Sequence, residues 1–75
     1  GYFKDEIGLK LNREQIRLIR KSQKISQAQL GFECNLAREQ INRIEKGRIN
    51  TSVSNLLAIA KALNVHPREL LNFEA

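Results

Sequence analysis

Ser26-Gln27-Ala28-Gln29-Leu30-Gly31-Phe32-Glu33-Cys34-Asn35-Leu36-Ala37-Arg38-Glu39-Gln40-Ile41-Asn42-Arg43-Ile44-Glu45-Lys46-Gly47 is the stretch on which the fold turns. Ser26 and Gln29 have capping-box spacing, so a helix opens after Ser26. Leu30 and Cys34 are four apart and point inward together. That helix has room for only about two turns before Asn35, a residue that tolerates the left-handed conformation of a tight turn. A second helix follows, from about Ala37 to Lys46, and Gly47 terminates it. On a wheel of about 100° per residue, Ala37, Ile41 and Ile44 cluster on one face, while Arg38, Asn42, Lys46, Glu39 and Arg43 occupy the opposite arc. The first face docks on the rest of the chain. The second carries side chains suited to base edges: Arg for guanine, Asn for adenine, Glu for the cytosine amine. A lone amphipathic helix shows the same pattern merely as a solvated face. What changes the reading is the arrangement of short helix, three-residue turn and longer helix in a basic chain.

The same punctuation recurs outward from this stretch. A helix is expected from about Asn12 to Gln23, capped by Asn12 with Gln15 returning the bond. Ile16 and Ile19 lie on one face of it, and Arg20 falls one turn after Ile16. Another runs from Ser52, its cap, to Leu63, with Val53, Leu56, Leu57, Ala60 and Leu63 as an apolar stripe and Asn64 taking the C-terminal turn. A short fifth follows His66, with Pro67 at its first position and then Leu70 and Leu71. Apolar/polar alternation is not sustained outside the first eleven residues. The expected fold class is all-α, a compact five-helix bundle. Its organisation reads as an N-terminal extension over 1–11, one domain over 12–73 with its key motif at about 27–46, and a tail at 74–75.

Seventy-five residues make one small domain, and a chain this short buries only about 60% of the surface its unfolded form exposes. A single cysteine, Cys34, rules out an intrachain disulfide. Cys34 and His66 alone do not make a structural zinc site. Apolar runs fall far short of a membrane span, and the N-terminus lacks a signal-peptide core. The expectation is a soluble cytoplasmic protein without membrane contact, small-molecule substrate, metal or cofactor. The net charge is +5 and unevenly spread. Residues 1–25 carry seven basic and three acidic side chains, 26–50 four and three, and 51–75 two of each. A basic front half suits a polyanion; from charge alone, ordinary solubility explains it equally well.

The segment from Ser26 to Leu30, continued through Ile41-Asn42-Arg43-Ile44-Glu45-Lys46-Gly47, resembles the Cro/repressor-type (XRE) helix-turn-helix family. Leu56-Leu57-Ala58-Ile59-Ala60-Lys61-Ala62-Leu63-Asn64-Val65 looks like that family's fourth helix, and Arg68-Glu69-Leu70-Leu71 like its fifth, so the likeness spans roughly 12–73. The resemblance implies a lambda-repressor-like DNA-binding domain, usually a homodimer, that binds a near-palindromic operator in double-stranded DNA and regulates transcription. It places Arg38, Glu39 and Arg43 at base-reading positions, with Asn42 as a fourth. Gln27 matches a phosphate-anchoring position, and Lys46 and Arg48 match backbone-binding ones. In the family, the positions of Arg20 and Glu45 commonly form an ion pair joining the first and third helices. The wheel agrees, since Glu45 sits at the edge of the apolar arc, and the expectation is a partly buried structural pair. Three positions depart from the family pattern: Ala37 stands where a Ser or Thr cap is usual, Asn35 replaces the turn glycine, and Thr51 replaces a proline, a harmless change.

The remaining residues bear on alternatives. Cys34 reads as a small core residue. His66 reads as a helix lead-in with no catalytic partner nearby. Phe32 is off the inward face and either packs under the N-terminal segment or is exposed to a partner. Tyr2, Phe3, Ile7, Leu9 and Leu11 either fold back on the core or add to a dimer interface. Phe73, with Leu70 and Leu71, either packs internally or serves dimerisation. An enzyme is disfavoured, because the chain has no nucleophile–base set, phosphate loop or metal constellation. The competing function is a protein-interaction or antitoxin-like module on the same fold, with DNA binding secondary.

Overall fold

The computed structural model describes residues 9–48 and 51–73. Within them the order is β1 (Leu9–Leu11), α1 (Arg13–Ser22), α2 (Gln27–Cys34), α3 (Arg38–Glu45), α4 (Val53–Leu63), a 3₁₀ turn (Pro67–Leu70) and β2 (Leu71–Phe73).

The capping side chains act as their spacing requires. Asn12 Oδ1 accepts from the Gln15 N–H at 3.1 Å, Ser26 Oγ from Gln29 at 3.0 Å and Ser52 Oγ from Asn55 at 3.1 Å. Asn35 and Asn64 close α2 and α4 in the left-handed region, at φ 60 and φ 58. The return bond expected from Gln15 is replaced by a tertiary one: the Asn12 N–H donates to the Leu70 carbonyl at 2.8 Å. The chain's other end thereby satisfies the start of α1. Lys24 also takes a positive φ of 60, and the Ile25 N–H closes on the Arg20 carbonyl at 3.1 Å.

The domain is all-helical in its layers, but the described residues form four α-helices, not five. The expected fifth is the 3₁₀ turn. Pro67 starts it and His66 caps it, with Nδ1 accepting from Arg68 at 3.1 Å and the Glu69 carboxylate accepting from the His66 N–H at 3.2 Å. It cannot lengthen, because Leu71 turns to extended backbone at φ −123 and pairs instead. β1 and β2 are antiparallel, with Leu9 opposite Phe73, Lys10 opposite Asn72 and Leu11 opposite Leu71. Asn12 Nδ2 donates to Asn72 Oδ1 at 3.1 Å beside this ladder.

Every helix sends side chains to one core: Ile16, Leu30, Ile41, Ile44, Leu56, Ile59 and Leu63, with Leu70 beneath. Cys34 belongs to this core, and burial, seconded by the Glu33 carboxylate, raises its thiol pKa above the ordinary value. It is therefore a poor nucleophile. Leu11 folds back onto the core; Tyr2, Phe3 and Ile7 lie outside the described residues, as does the side chain of Phe73. α4 sits rotated from its expected stripe. Ile59 is fully buried, whereas Val53 and Leu57 are exposed, because α4 packs against α2 and the 3₁₀ turn along a face shifted by roughly 45°. Ala37 is also exposed, since it precedes the first helical turn of α3. Thr51 is buried ahead of α4, and its hydroxyl has no hydrogen-bond partner among the described residues.

Candidate nucleic-acid interface

The junction of α2 and α3 is a close approach of main chain to main chain. The Leu36 N–H donates to the Gly31 carbonyl at 2.8 Å. An ideal Cβ at Gly31 would lie 2.5 Å from the Leu36 oxygen. Glycine is what allows the two helices to approach this closely. α3 then starts without a side-chain cap from Ala37, because a methyl group cannot accept a hydrogen bond. Gln40 supplies the other half of the box, its Oε1 accepting from the Ala37 N–H at 2.9 Å. Gln40 was missed in the sequence, although it stands three residues after the cap position, where the box places a Gln.

α3 is held from within by Ile41 and Ile44, and at its last turn by charge. Arg20 on α1 grips Glu45 with two bonds, Nε to Oε2 at 2.7 Å and Nη2 to Oε1 at 3.0 Å. The Glu45 side chain is 2% exposed and that of Arg20 8%. The remaining Arg20 nitrogen, Nη1, donates to the Ile25 carbonyl at 2.9 Å. The pair expected to be partly buried is thus almost wholly buried, and the Arg20 guanidinium is used on both sides.

With the inner face anchored, the outer face is set. Arg38, Glu39, Asn42, Arg43 and Arg48 line one open groove of about 310 Å³. Three guanidinium groups against a single carboxylate make it electropositive. Arg38 and Glu39 approach only to 4.0 Å, both well exposed, so neither is committed to the other. Lys46 is exposed at the C-cap of α3. Gln27, at the first position of α2, reaches the groove through Asn42, whose Nδ2 donates to Gln27 Oε1 at 3.2 Å. Gln27 Nε2 in turn donates to Glu45 Oε1 at 3.2 Å. Five of the seven residues expected at the interface therefore share one groove and Gln27 is tied to it, while Lys46 is outside its lining, at the C-cap of α3. The Gln27–Asn42 bond was not anticipated; their separation of fifteen residues crosses the turn, and no periodicity within one helix reveals it.

Gly47 adopts φ 73 just past this helix, and the Arg13 side chain lies across it, 3.1 Å from where a Cβ would stand. Phe32, on the outer side of α2, is 86% exposed. Among the described residues no group of three or more His, Cys, Asp or Glu side chains converges as a metal site, and no helix is long and apolar enough to cross a membrane.

Known proteins are similar to this chain in sequence and in fold. The control protein C.BamHI of Bacillus amyloliquefaciens is 46% identical to the chain over 61 residues, which span 80% of this chain and 75% of that protein. The crystal structure of the restriction-modification controller protein C.AhdI from Aeromonas hydrophila superposes with a TM-score of 0.76 at 36% identity, covering 77% of this chain and 88% of that one. The P22 c2 repressor, solved in complex with the synthetic operator 9T, superposes with a TM-score of 0.78 at 37% identity, covering 87% and 98%. The helix-turn-helix family matches residues 16–70, and the chain belongs to that family.

Proposed function

We propose that this protein is a transcriptional regulator of the repressor or controller kind, binding double-stranded DNA sequence-specifically as a homodimer on a near-palindromic operator. The observation that carries this reading is the electropositive groove on α3, lined by Arg38, Glu39, Asn42, Arg43 and Arg48, in a chain similar in fold to a repressor solved on its operator. The DNA-binding unit spans 12–73, with its motif at 27–46, and Leu9–Leu11 of the preceding segment adds the strand that pairs with β2. α3 enters the major groove, where Arg38, Glu39, Asn42 and Arg43 meet base edges. Gln27, Lys46 and Arg48 hold the flanking phosphates, which positions the protein without specifying sequence. Two subunits reach half-sites about one helical turn apart.

Selection of bound duplexes from a random library at near-physiological salt tests the reading. Enrichment of a two-fold symmetric motif supports it. Binding to any duplex with only salt-sensitive affinity would sink it. Within the enriched site, Arg43→Ala should relax one base position, at about 2 kcal/mol. Lys46→Ala should instead weaken all sequences alike and flatten the dependence of affinity on salt. Quantitative binding titrations on single-base variants, at two salt concentrations, separate the two outcomes.

Phe32 favours a second reading, a protein-interaction module on the same fold, since an aromatic ring 86% exposed is open to a partner. Association that survives salt high enough to remove DNA would support that reading, because phosphate-driven binding does not survive it.

A further inference from the structure

The bonds linking α1, α2 and α3 form a directed chain. Arg20 donates to both oxygens of Glu45, at 2.7 and 3.0 Å. A carboxylate in such a pair offers only acceptors. The group that approaches it from Gln27, 3.2 Å away, must therefore be the amide nitrogen. That choice turns Gln27 Oε1 toward Asn42, and Oε1 accepts only from a donor. Asn42 must present its own nitrogen, which it does at 3.2 Å. Each side-chain amide in isolation could sit in either of two orientations. Here the carboxylate at the buried end removes the choice for both.

The consequence lies at the outer end of the chain. With one amide hydrogen engaged by Gln27, Asn42 is left with Oδ1 and its second hydrogen, in the groove it lines with Arg38 and Arg43. An acceptor beside a donor complements adenine, which offers N6–H and N7 in the major groove. The opposite orientation of Asn42 would present hydrogens alone, a pattern suited to the two acceptors of guanine.

We propose that Glu45 is a positioning residue for base reading: acting through Gln27, it fixes the amide of Asn42 in the orientation that selects adenine. This rests on the assignment of α3 to the major groove. It adds that the buried ion pair sets a base preference as well as a helix position.

Substituting Glu45 itself threatens the fold, so the test uses Gln27→Met, which removes the relay and leaves the ion pair in place. Thermal melting confirms that the variant folds. Selection and single-base titrations are then run for wild type, Gln27→Met, Asn42→Ala and the double variant. The base pair read by Asn42 is the one whose preference disappears in Asn42→Ala. At that pair the wild type should favour adenine over guanine by about tenfold. Gln27→Met should lower this ratio to about threefold or less, and should change nothing further at that pair when Asn42 is already alanine. Loss of a phosphate contact would weaken every sequence equally and leave the ratio intact. A full adenine preference in Gln27→Met overturns the proposal, as does a wild type with no adenine preference at the pair read by Asn42. A wild type without any sequence preference would instead overturn the DNA-reading assignment on which the proposal rests.

Discussion

Glu45→Ala should lose about 3–5 kcal/mol of folding stability, read as a lower midpoint in urea denaturation followed by far-UV circular dichroism. The reason is asymmetry. Removing the carboxylate leaves the Arg20 guanidinium buried, with the Ile25 carbonyl as its remaining acceptor. A charge held there without its counterion costs far more than the pair itself contributes. For a small domain with about 5–15 kcal/mol in total, the loss is a large share. Arg20→Met combined with Glu45→Leu should recover most of it, because both charges leave together and apolar side chains fill the site. An unchanged midpoint in Glu45→Ala would mean that water reaches Arg20, and the buried pair would then be no anchor for α3.

Gly31→Val should cost about 3 kcal/mol, the upper part of the usual range for overpacking. A Cβ at Gly31 would stand 2.5 Å from the Leu36 carbonyl oxygen and within 3.5 Å of Ala37 backbone atoms. Those neighbours are main chain, so relief requires α2 and α3 to separate rather than a side chain to turn away. Separation would also strain the Gln27–Asn42 bond and tilt the groove on α3, so DNA affinity should fall even where the variant remains folded. Melting curves and binding titrations at a temperature below the transition measure the two effects. A variant that melts with the wild type would show that the close approach is not required.

Much of this was legible in the chain because the signals are local. Ser26, Asn35, Ser52 and Asn64 sit at helix ends and declare them by side-chain chemistry and backbone tolerance. The faces of α2 and α3 follow from residues three and four apart. The Arg20–Glu45 pair was reachable because family resemblance supplied the partners and the wheel placed Glu45 at the edge of the apolar arc. What escaped was non-local. Leu71-Asn72-Phe73 shows no strand until Leu9–Leu11 is beside it. The Asn12 N–H was assigned to Gln15, its neighbour in sequence, when the Leu70 carbonyl satisfies it. The inner face of α4 was misjudged because Val53, Leu57 and Ile59 are equally apolar, and the elements α4 packs against decide which is buried. The interface residues were named individually, but their linkage through Gln27 depends on two helices meeting across a turn.

The pairing of β1 with β2 bears on the order in which the domain assembles. Asn12 and Asn72 meet across a separation of 60 residues, whereas the Gly31–Leu36 contact spans a single tight turn. Closing the long loop first would forfeit the most chain entropy. Chain entropy therefore favours collapse of the helices on one another before the two strands clasp. In that order the clasp is a late latch, which draws Leu11 onto a core already built and ties the start of α1 to the Leu70 carbonyl.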